Sequence, residues 1–86
     1  MAFGNTNRAA ELWQECLVLN PRYAYAYAGL GTVAARKGEL SQAVVHFRRA
    51  LEIDPRATQT RLDLALALFD QGETEEATRV LEDQLR

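Results

Sequence analysis

The segment from Gly38 to Pro55, GELSQAVVHFRRALEIDP, recurs in altered form on both sides at one constant spacing, the interval that separates Gly4 from Gly38 and Gly38 from Gly72. Shifting the segment back by this interval gives these pairs: Gly4 with Gly38, Ala9 with Ala43, Trp13 with Phe47, Cys16 with Ala50, Leu17 with Leu51 and Pro21 with Pro55. Shifting it forward by the same interval gives a second set: Gly38 with Gly72, Ala43 with Ala77, Phe47 with Leu81 and Leu51 with Leu85. A fixed period of this length is typical of structural repeats that bury their apolar faces against one another. We therefore expect a stacked repeat fold.

Length and composition limit the class of protein. The chain has 86 residues, of which 48% are apolar and 26% charged, as in ordinary globular domains. This length allows one small domain with one core. No apolar run approaches the roughly 18 residues of a membrane span, and the N-terminus lacks the basic segment and apolar core of a signal peptide. We expect a soluble, cytoplasmic domain with no membrane partner, either complete or part of a longer chain.

Charge is distributed unevenly along the chain. Residues 1–61 hold eight basic and five acidic residues, whereas residues 62–86 hold two basic and seven acidic residues. Nucleic-acid binding needs a basic surface that neutralises phosphates. The sequence therefore predicts no nucleic-acid partner.

The sequence also lacks the patterns that carry catalysis or bind metals. It contains no glycine-rich phosphate loop, no His, Cys and Asp set at metal-binding spacing, and no Ser-His-Asp candidate. The single cysteine, Cys16, cannot form an internal disulfide or a multi-cysteine metal site. We expect no enzyme activity, no metal and no cofactor.

Apolar residues at helical spacing predict five helices, at about residues 5–19, 22–37, 39–53, 56–70 and 73–85. Asn20-Pro21 and Asp54-Pro55 each place a capping side chain before a proline, which predicts a helix start at both prolines. Gly38 is placed for a left-handed helix C-cap, and Gln71-Gly72 ends the next helix.

Tyr and Ala alternate through residues 23–28, a period that a strand would also show. The alanines and the preceding cap favour a helix. On that helix Tyr23 and Tyr27 are expected to share a face, while Tyr25 is turned by about 200° to a different surface.

One complete unit, residues 24–57, carries a specific set of positions: Tyr27, Leu30, Gly31, Gly38, Ala43, Phe47, Ala50 and Pro55. This set resembles the signature of the tetratricopeptide repeat, a family of helix-turn-helix units. The resemblance implies an all-α fold in which antiparallel helix-turn-helix repeats stack as a short right-handed solenoid of about two and a half repeats. A single domain, 1–86, would contain the second helix of a partial repeat (1–23), a complete repeat (24–57) and a near-complete terminal repeat (58–86). The terminal repeat has Arg61 and Gln84 where the complete one has Tyr27 and Ala50, as suits a unit with one face in water.

The family binds peptides, helices or other protein surfaces in a concave groove and is not itself catalytic, so the resemblance implies a protein-protein interaction module. The family's groove positions correspond to eight residues: Tyr25, Ala28, Thr32, Arg36, Gln59, Leu62, Leu66 and Phe69. Members that bind the C-terminal carboxylate of chaperones use Lys, Asn and Arg there, which this mostly apolar set does not supply. We expect a groove for an apolar or helical segment, because the leucines at 62, 64, 66 and 68 cannot all lie on one face of a helix. The alternative is that Leu62, Leu66 and Phe69 pack against neighbouring helices.

The first predicted helix carries an apolar stripe: Leu12, Trp13, Cys16 and Leu17. Only about four residues precede this helix, so the helix that would cover the stripe within its own repeat is missing from the sequence. An uncovered apolar stripe favours self-association, and a dimer is expected. The alternative function is therefore a structural segment of a longer solenoid, or a self-associating unit with no separate ligand.

Register within the repeat assigns the remaining notable side chains. Trp13 and Cys16 match Phe47 and Ala50 and are expected to be buried. His46 and the Arg48-Arg49 pair are expected on a solvated face. Three small residues should let paired helices approach closely: Gly31, Ala43 and Ala50.

Overall fold

The structure, a computed structural model, describes residues 2–84, with side chains described for residues 8–83. It contains five α-helices: α1 (Ala2–Leu19), α2 (Ala24–Arg36), α3 (Leu40–Ile53), α4 (Thr58–Asp70) and α5 (Thr74–Gln84). The predicted all-α fold is confirmed, and the segment with alternating Tyr and Ala is helical. The predicted end of the last helix at Leu85 and the side chain of Gln84 lie outside the described residues.

Two glycines end α2 and α4 in the same way. Gly38 and Gly72 have φ angles of +80° and +86°, in the left-handed region that a residue with a Cβ rarely enters. After α2, the amide of Glu39 donates to the carbonyl of Ala34 at 2.9 Å, and the amide of Gly38 donates to Ala35 at 3.0 Å. This pair of hydrogen bonds is a Schellman motif, which satisfies carbonyls that the helix itself leaves unpaired. The predicted C-cap at Gly38 is confirmed, and α4 ends before Gly72 as predicted, with the same left-handed conformation at that glycine.

The predicted starts of α2 and α4 are wrong by two residues. Asn20 and Asp54 do not cap these helices, because each side-chain oxygen instead accepts the amide hydrogen two residues later, at 3.2 Å. This local contact is an Asx-turn. The prolines therefore lie in turns, and the helices begin at Ala24 and Thr58 without a side-chain cap.

The helices pack mainly against their sequence neighbours: α1 on α2, α2 on α3, α3 on α4 and α4 on α5, with a smaller direct contact between α2 and α4. Nearest-neighbour packing of this kind defines a solenoid. The resulting array measures 34 × 27 × 16 Å.

The core lies between α3 and its neighbours, where Phe47 and Leu64 are almost fully buried. A Cβ added to Gly31 would lie 2.5 Å from Cε1 of Phe47, so the ring packs directly on the backbone of α2. The predicted close approach at Gly31 is confirmed. Burial of a side chain the size of Phe47 contributes about 1.5–3 kcal/mol.

A second aromatic ring packs on the opposite side of α2. A Cβ at Gly29 would overlap the indole of Trp13 from α1. Gly29 and Gly31 are two positions apart and so point to nearly opposite sides of a helix. The two glycines thus let α2 lie closely between α1 and α3.

Three burial predictions need correction. Trp13 and Cys16 are half-buried rather than buried, because among the described helices α1 packs only on α2. His46 is half-buried rather than solvated, and this burial lowers the pKa of its imidazole. Arg48 and Arg49 are exposed as predicted, and each forms an ion pair, with Glu76 at 3.1 Å and Glu52 at 3.0 Å respectively.

Candidate protein-binding cleft

The side-by-side arrangement of α2 and α4, with α3 beside both, forms the candidate site. Of the eight residues predicted for a groove, seven are exposed and Ala28 is half-buried. Leu62, Leu66 and Phe69 are 40%, 61% and 41% exposed to solvent, and Tyr25 is 73% exposed. These four large side chains are therefore accessible to a partner.

The leucines of α4 divide between two faces. Leu64 and Leu68 are 2% and 3% exposed and belong to the core, whereas Leu62 and Leu66 remain in water. The predicted division of these four leucines is confirmed. Leu62 and Leu66 are not buried against neighbouring helices of the described chain, so both side chains are available for contacts with a partner.

One cavity, which we call the upper cavity, brings together three of the predicted residues. It has a volume of about 310 Å³ and joins Tyr25 and Ala28 of α2 with Gln59 of α4, beside the turn that contains Asp54 and Arg56. The Tyr25 ring also lies 5.8 Å from the Tyr23 ring, centroid to centroid. Tyr23 was expected to point away from Tyr25, but it precedes the helix and so does not follow helical geometry.

A second cavity, the lower cavity, brings together Thr32 and Leu66. Its volume is about 230 Å³. Eight residues line it: Thr32 and Ala35 from α2, Leu40 and Phe47 from α3, and Asp63, Leu66, Ala67 and Asp70 from α4. Arg36, Leu62 and Phe69 line neither of these two cavities.

Polar contacts orient part of this surface. The side-chain amide of Gln59 donates to a carboxylate oxygen of Asp63 at 3.0 Å. The Thr32 hydroxyl donates to the Ala28 carbonyl at 3.1 Å, so it is satisfied within α2. Gln59 therefore acts within the cleft by holding Asp63, which lines the lower cavity.

Sequence reasoning missed Asp63 and Asp70 as site residues. Both are three or four positions from Leu66, a spacing that places them on the same side of α4. Sequence reasoning also assigned Phe47 to the core alone, whereas its ring lines the lower cavity as well. The helical spacing around Leu66 was the signal that identifies the two aspartates.

Among the described residues, no group of three His, Cys, Asp or Glu side chains is placed to hold a metal ion. Within the same part of the chain, no helix has the length and apolar character needed to cross a membrane.

Stacked antiparallel helix pairs that leave an apolar cleft open define a helical-repeat protein-protein interaction module. Residues 2–86 match the family model described as "Cilia and flagella-associated protein 70 middle TPR-like domain". The chain belongs to this TPR-like family, and the predicted tetratricopeptide repeat is confirmed.

Relatives share the domain but are much longer. The probable biofilm formation methyltransferase WspC of Pseudomonas putida is 31% identical over 96% of this chain, which covers 20% of that protein. Tetratricopeptide repeat protein 6 of Homo sapiens is 30% identical over 73% of the chain and 12% of its own length. Superkiller protein 3 of Schizosaccharomyces pombe is 32% identical over 94% of the chain and 6% of its own length. The chain thus spans a fifth or less of these relatives.

Solved structures show the same architecture. A crystal structure of MamA superposes with a TM-score of 0.89 and 27% identity, over 94% of this chain and 47% of that one. A second MamA crystal structure gives a TM-score of 0.86 and 28% identity, over 93% and 44% of the two chains.

Proposed function

We propose that the cleft between α2 and α4 binds a peptide, a helix or a protein surface through apolar contacts. The observation that carries this proposal is the exposure of Tyr25, Leu62, Leu66 and Phe69 on these two helices. Exposed apolar patches on soluble domains commonly mark interaction sites. A partner that covers one leucine side chain fully gains about 1.5–3 kcal/mol from its burial.

We propose further that this domain binds and does not catalyse. The similarity to a methyltransferase, WspC, covers 20% of that protein, and the cleft described here is lined mainly by apolar side chains. A cytoplasmic location and the repeat bounds 1–23, 24–57 and 58–86 remain proposals.

Leu66→Asp tests the cleft against a matched control. Val45 on α3 has nearly the same exposure as Leu66, 59% against 61%, and it lines neither the upper nor the lower cavity. Both variants place a carboxylate on an exposed helical position, so they should affect helix stability similarly. In a peptide array followed by titration of the peptides that bind, Leu66→Asp should lose about tenfold or more in affinity, and Val45→Asp should lose little. Equal loss in both variants would contradict the cleft as the binding site.

A second candidate function is self-association through α1, in a dimer. Leu12, Val18 and Leu19 are 45%, 82% and 87% exposed to solvent. Of the predicted stripe only Leu12 is exposed, since Trp13, Cys16 and Leu17 are half-buried. The exposed apolar part of α1 therefore extends further along the helix than the sequence predicted.

Light scattering at micromolar concentration tests the dimer. Leu12→Glu is a sharper variant than Trp13→Glu, because the Trp13 indole packs on Gly29 and its loss would also weaken the packing of α1 on α2. A dimer that Leu12→Glu converts to a monomer, while Val45→Glu does not, would support an interface on α1. A monomer at all concentrations would exclude self-association.

A further inference from the structure

We propose that the lower cavity selects a basic partner segment, in which an apolar side chain enters the cavity and a neighbouring Lys or Arg reaches Asp63 or Asp70. This inference rests on the proposed function of the cleft and specifies the chemistry of its partner.

The internal repeat distinguishes the helix interface at the lower cavity from its equivalent between α1 and α2. In the register that pairs Trp13 with Phe47, Gly29 corresponds to Asp63. Where α1 meets α2, the indole of Trp13 lies directly against Gly29. Where α3 meets α4, Asp63 takes the place of the glycine, and Phe47 and Asp63 both line an open cavity of about 230 Å³. At this second interface a carboxylate side chain occupies the glycine position and a phenyl ring occupies the position of the larger indole, and a cavity is open beside both.

The size of the lower cavity favours a side chain over a small molecule. Sites for drug-sized ligands and cofactors have volumes of about 300–1,000 Å³, which exceeds this cavity. Its apolar lining includes Phe47, Leu66 and Ala67. Phe47 and Ala67 are 2% and 4% exposed and form the floor of the cavity, so Leu66, at 61% exposure, supplies most of the apolar surface that one partner side chain would contact.

The acidic residues that line the lower cavity favour a partner segment with a basic residue beside its apolar side chain. The charged residues that line the cavity are Asp63 and Asp70, both acidic. They are about 10 Å apart along the helix axis, with Leu66 between them. The ion pairs formed among the described residues involve neither carboxylate. One oxygen of Asp63 accepts the hydrogen bond from Gln59, and a carboxylate has the capacity to accept a further donor. A basic residue on either side of the buried apolar side chain would therefore meet an available carboxylate.

The wider charge distribution acts in the same direction. Helix α4 carries two acidic residues, Asp63 and Asp70, and one basic residue, Arg61, whose guanidinium donates to the Pro55 carbonyl at 2.7 Å. The net charge of α4 is therefore negative, which favours the approach of cationic segments. The α1 helix of a second copy is a poorer occupant, since it carries Glu11 and Glu15, and its Arg8 is already paired with Glu11 at 3.5 Å.

Three synthetic amphipathic peptides with one apolar face and Lys, Gln or Glu at all flanking positions provide the test. Binding is measured by fluorescence anisotropy at about 50 and 300 mM salt, since screening weakens charge contacts. We expect the Lys peptide to bind about tenfold or more tightly than the Glu peptide at low salt, with the difference shrinking at high salt.

Charge variants locate the effect. Asp63→Asn and Asp70→Asn should each weaken the Lys peptide by about threefold to tenfold and leave the Gln peptide unchanged. Glu82→Gln removes the same charge from an exposed position on α5 that does not line the cavity, and it should have little effect. Asp70→Arg reproduces the charge of the equivalent Arg36, and it should shift the preference towards the Glu peptide.

The possible failures are distinguishable. Equal binding of all three peptides, lost in Leu66→Asp, would overturn the charge selection and leave the cleft as a binding site. Tighter binding of the Glu peptide, or an equal effect of Glu82→Gln and Asp70→Asn, would also overturn it. If none of the peptides binds, both this inference and the proposed function fail.

Discussion

Ala43 and Ala50 show how much a single side chain decides in this chain. Both are on α3 and are 0% and 1% exposed, so a larger side chain at either position must displace its neighbours. We expect Ala43→Leu and Ala50→Leu each to lower the free energy of unfolding by about 1–3 kcal/mol through overpacking. Thermal melts measure this as a shift of several degrees for a domain of this size. The exposed Gln42→Leu is the control, and unchanged melting of both alanine variants would contradict close packing around α3.

His46 makes a smaller contribution that depends on pH. Burial lowers the pKa of its imidazole below the ordinary value of 6.5, so the fold favours the neutral ring. The unfolded chain then binds the proton more readily, and stability is fully present above pH 6.5 and declines as pH falls through the folded-state pKa. Urea unfolding between about pH 7.5 and 5.5 should show a small decline that His46→Gln removes. The same decline in both proteins would assign it to other groups.

The lengths of α2 and α4 depend on the glycines that follow them. Gly38 and Gly72 have positive φ angles, and a Cβ at either would meet nothing within 4 Å. Any cost of Gly38→Ala or Gly72→Ala therefore comes from backbone strain rather than from a clash. We expect a loss of about 1–2 kcal/mol for each alanine and a smaller loss for Gly38→Asn, because Asn tolerates the left-handed region. Chemical denaturation measures both, and equal stability of the Ala and Asn variants would argue against a strained C-cap.

At the scale of the whole molecule, stability should decrease from the centre of the array towards its ends. In the described part of the chain, α1 shares a close backbone interface only with α2, and α5 only with α4, whereas α2, α3 and α4 each share one with at least two helices. The ion pair between Arg48 and Glu76 adds one side-chain contact between α3 and α5. In nearest-neighbour arrays each helix is stabilised mainly by its interfaces. Amide hydrogen exchange should therefore be slowest in α2, α3 and α4 and faster in α1 and α5. Uniform protection would indicate that the domain opens only as one cooperative unit.

The candidate cleft could be predicted from the sequence only in part. The family positions identified Leu62, Leu66 and Phe69, which are exposed, because repeat register determines which side of α4 each residue occupies. The acidic lining of the lower cavity was missed: helical spacing places Asp63 and Asp70 beside Leu66, but only the structure brings Phe47 of α3 and Thr32 of α2 to the same cavity. Whether the eight predicted residues bind a partner stays a prediction.

The sequence by itself determined the repeat period, the five helices, the C-cap at Gly38 and the end of α4 at Gln71-Gly72. These features follow from local spacing, since a positive φ at Gly38 or an apolar face on α3 depends on residues within a few positions. Only the tertiary structure decided the half-burial of Trp13, Cys16 and His46, the starts of α2 and α4, and the cavity beside Asp63. The burial of a side chain and the opening of a cavity depend on which helices lie next to it, and periodicity carries no information about such contacts. The side-chain oxygen of Asn20 or Asp54 can accept a hydrogen bond either from an amide in a turn or from an amide at a helix start. Residue type alone does not determine which of the two forms.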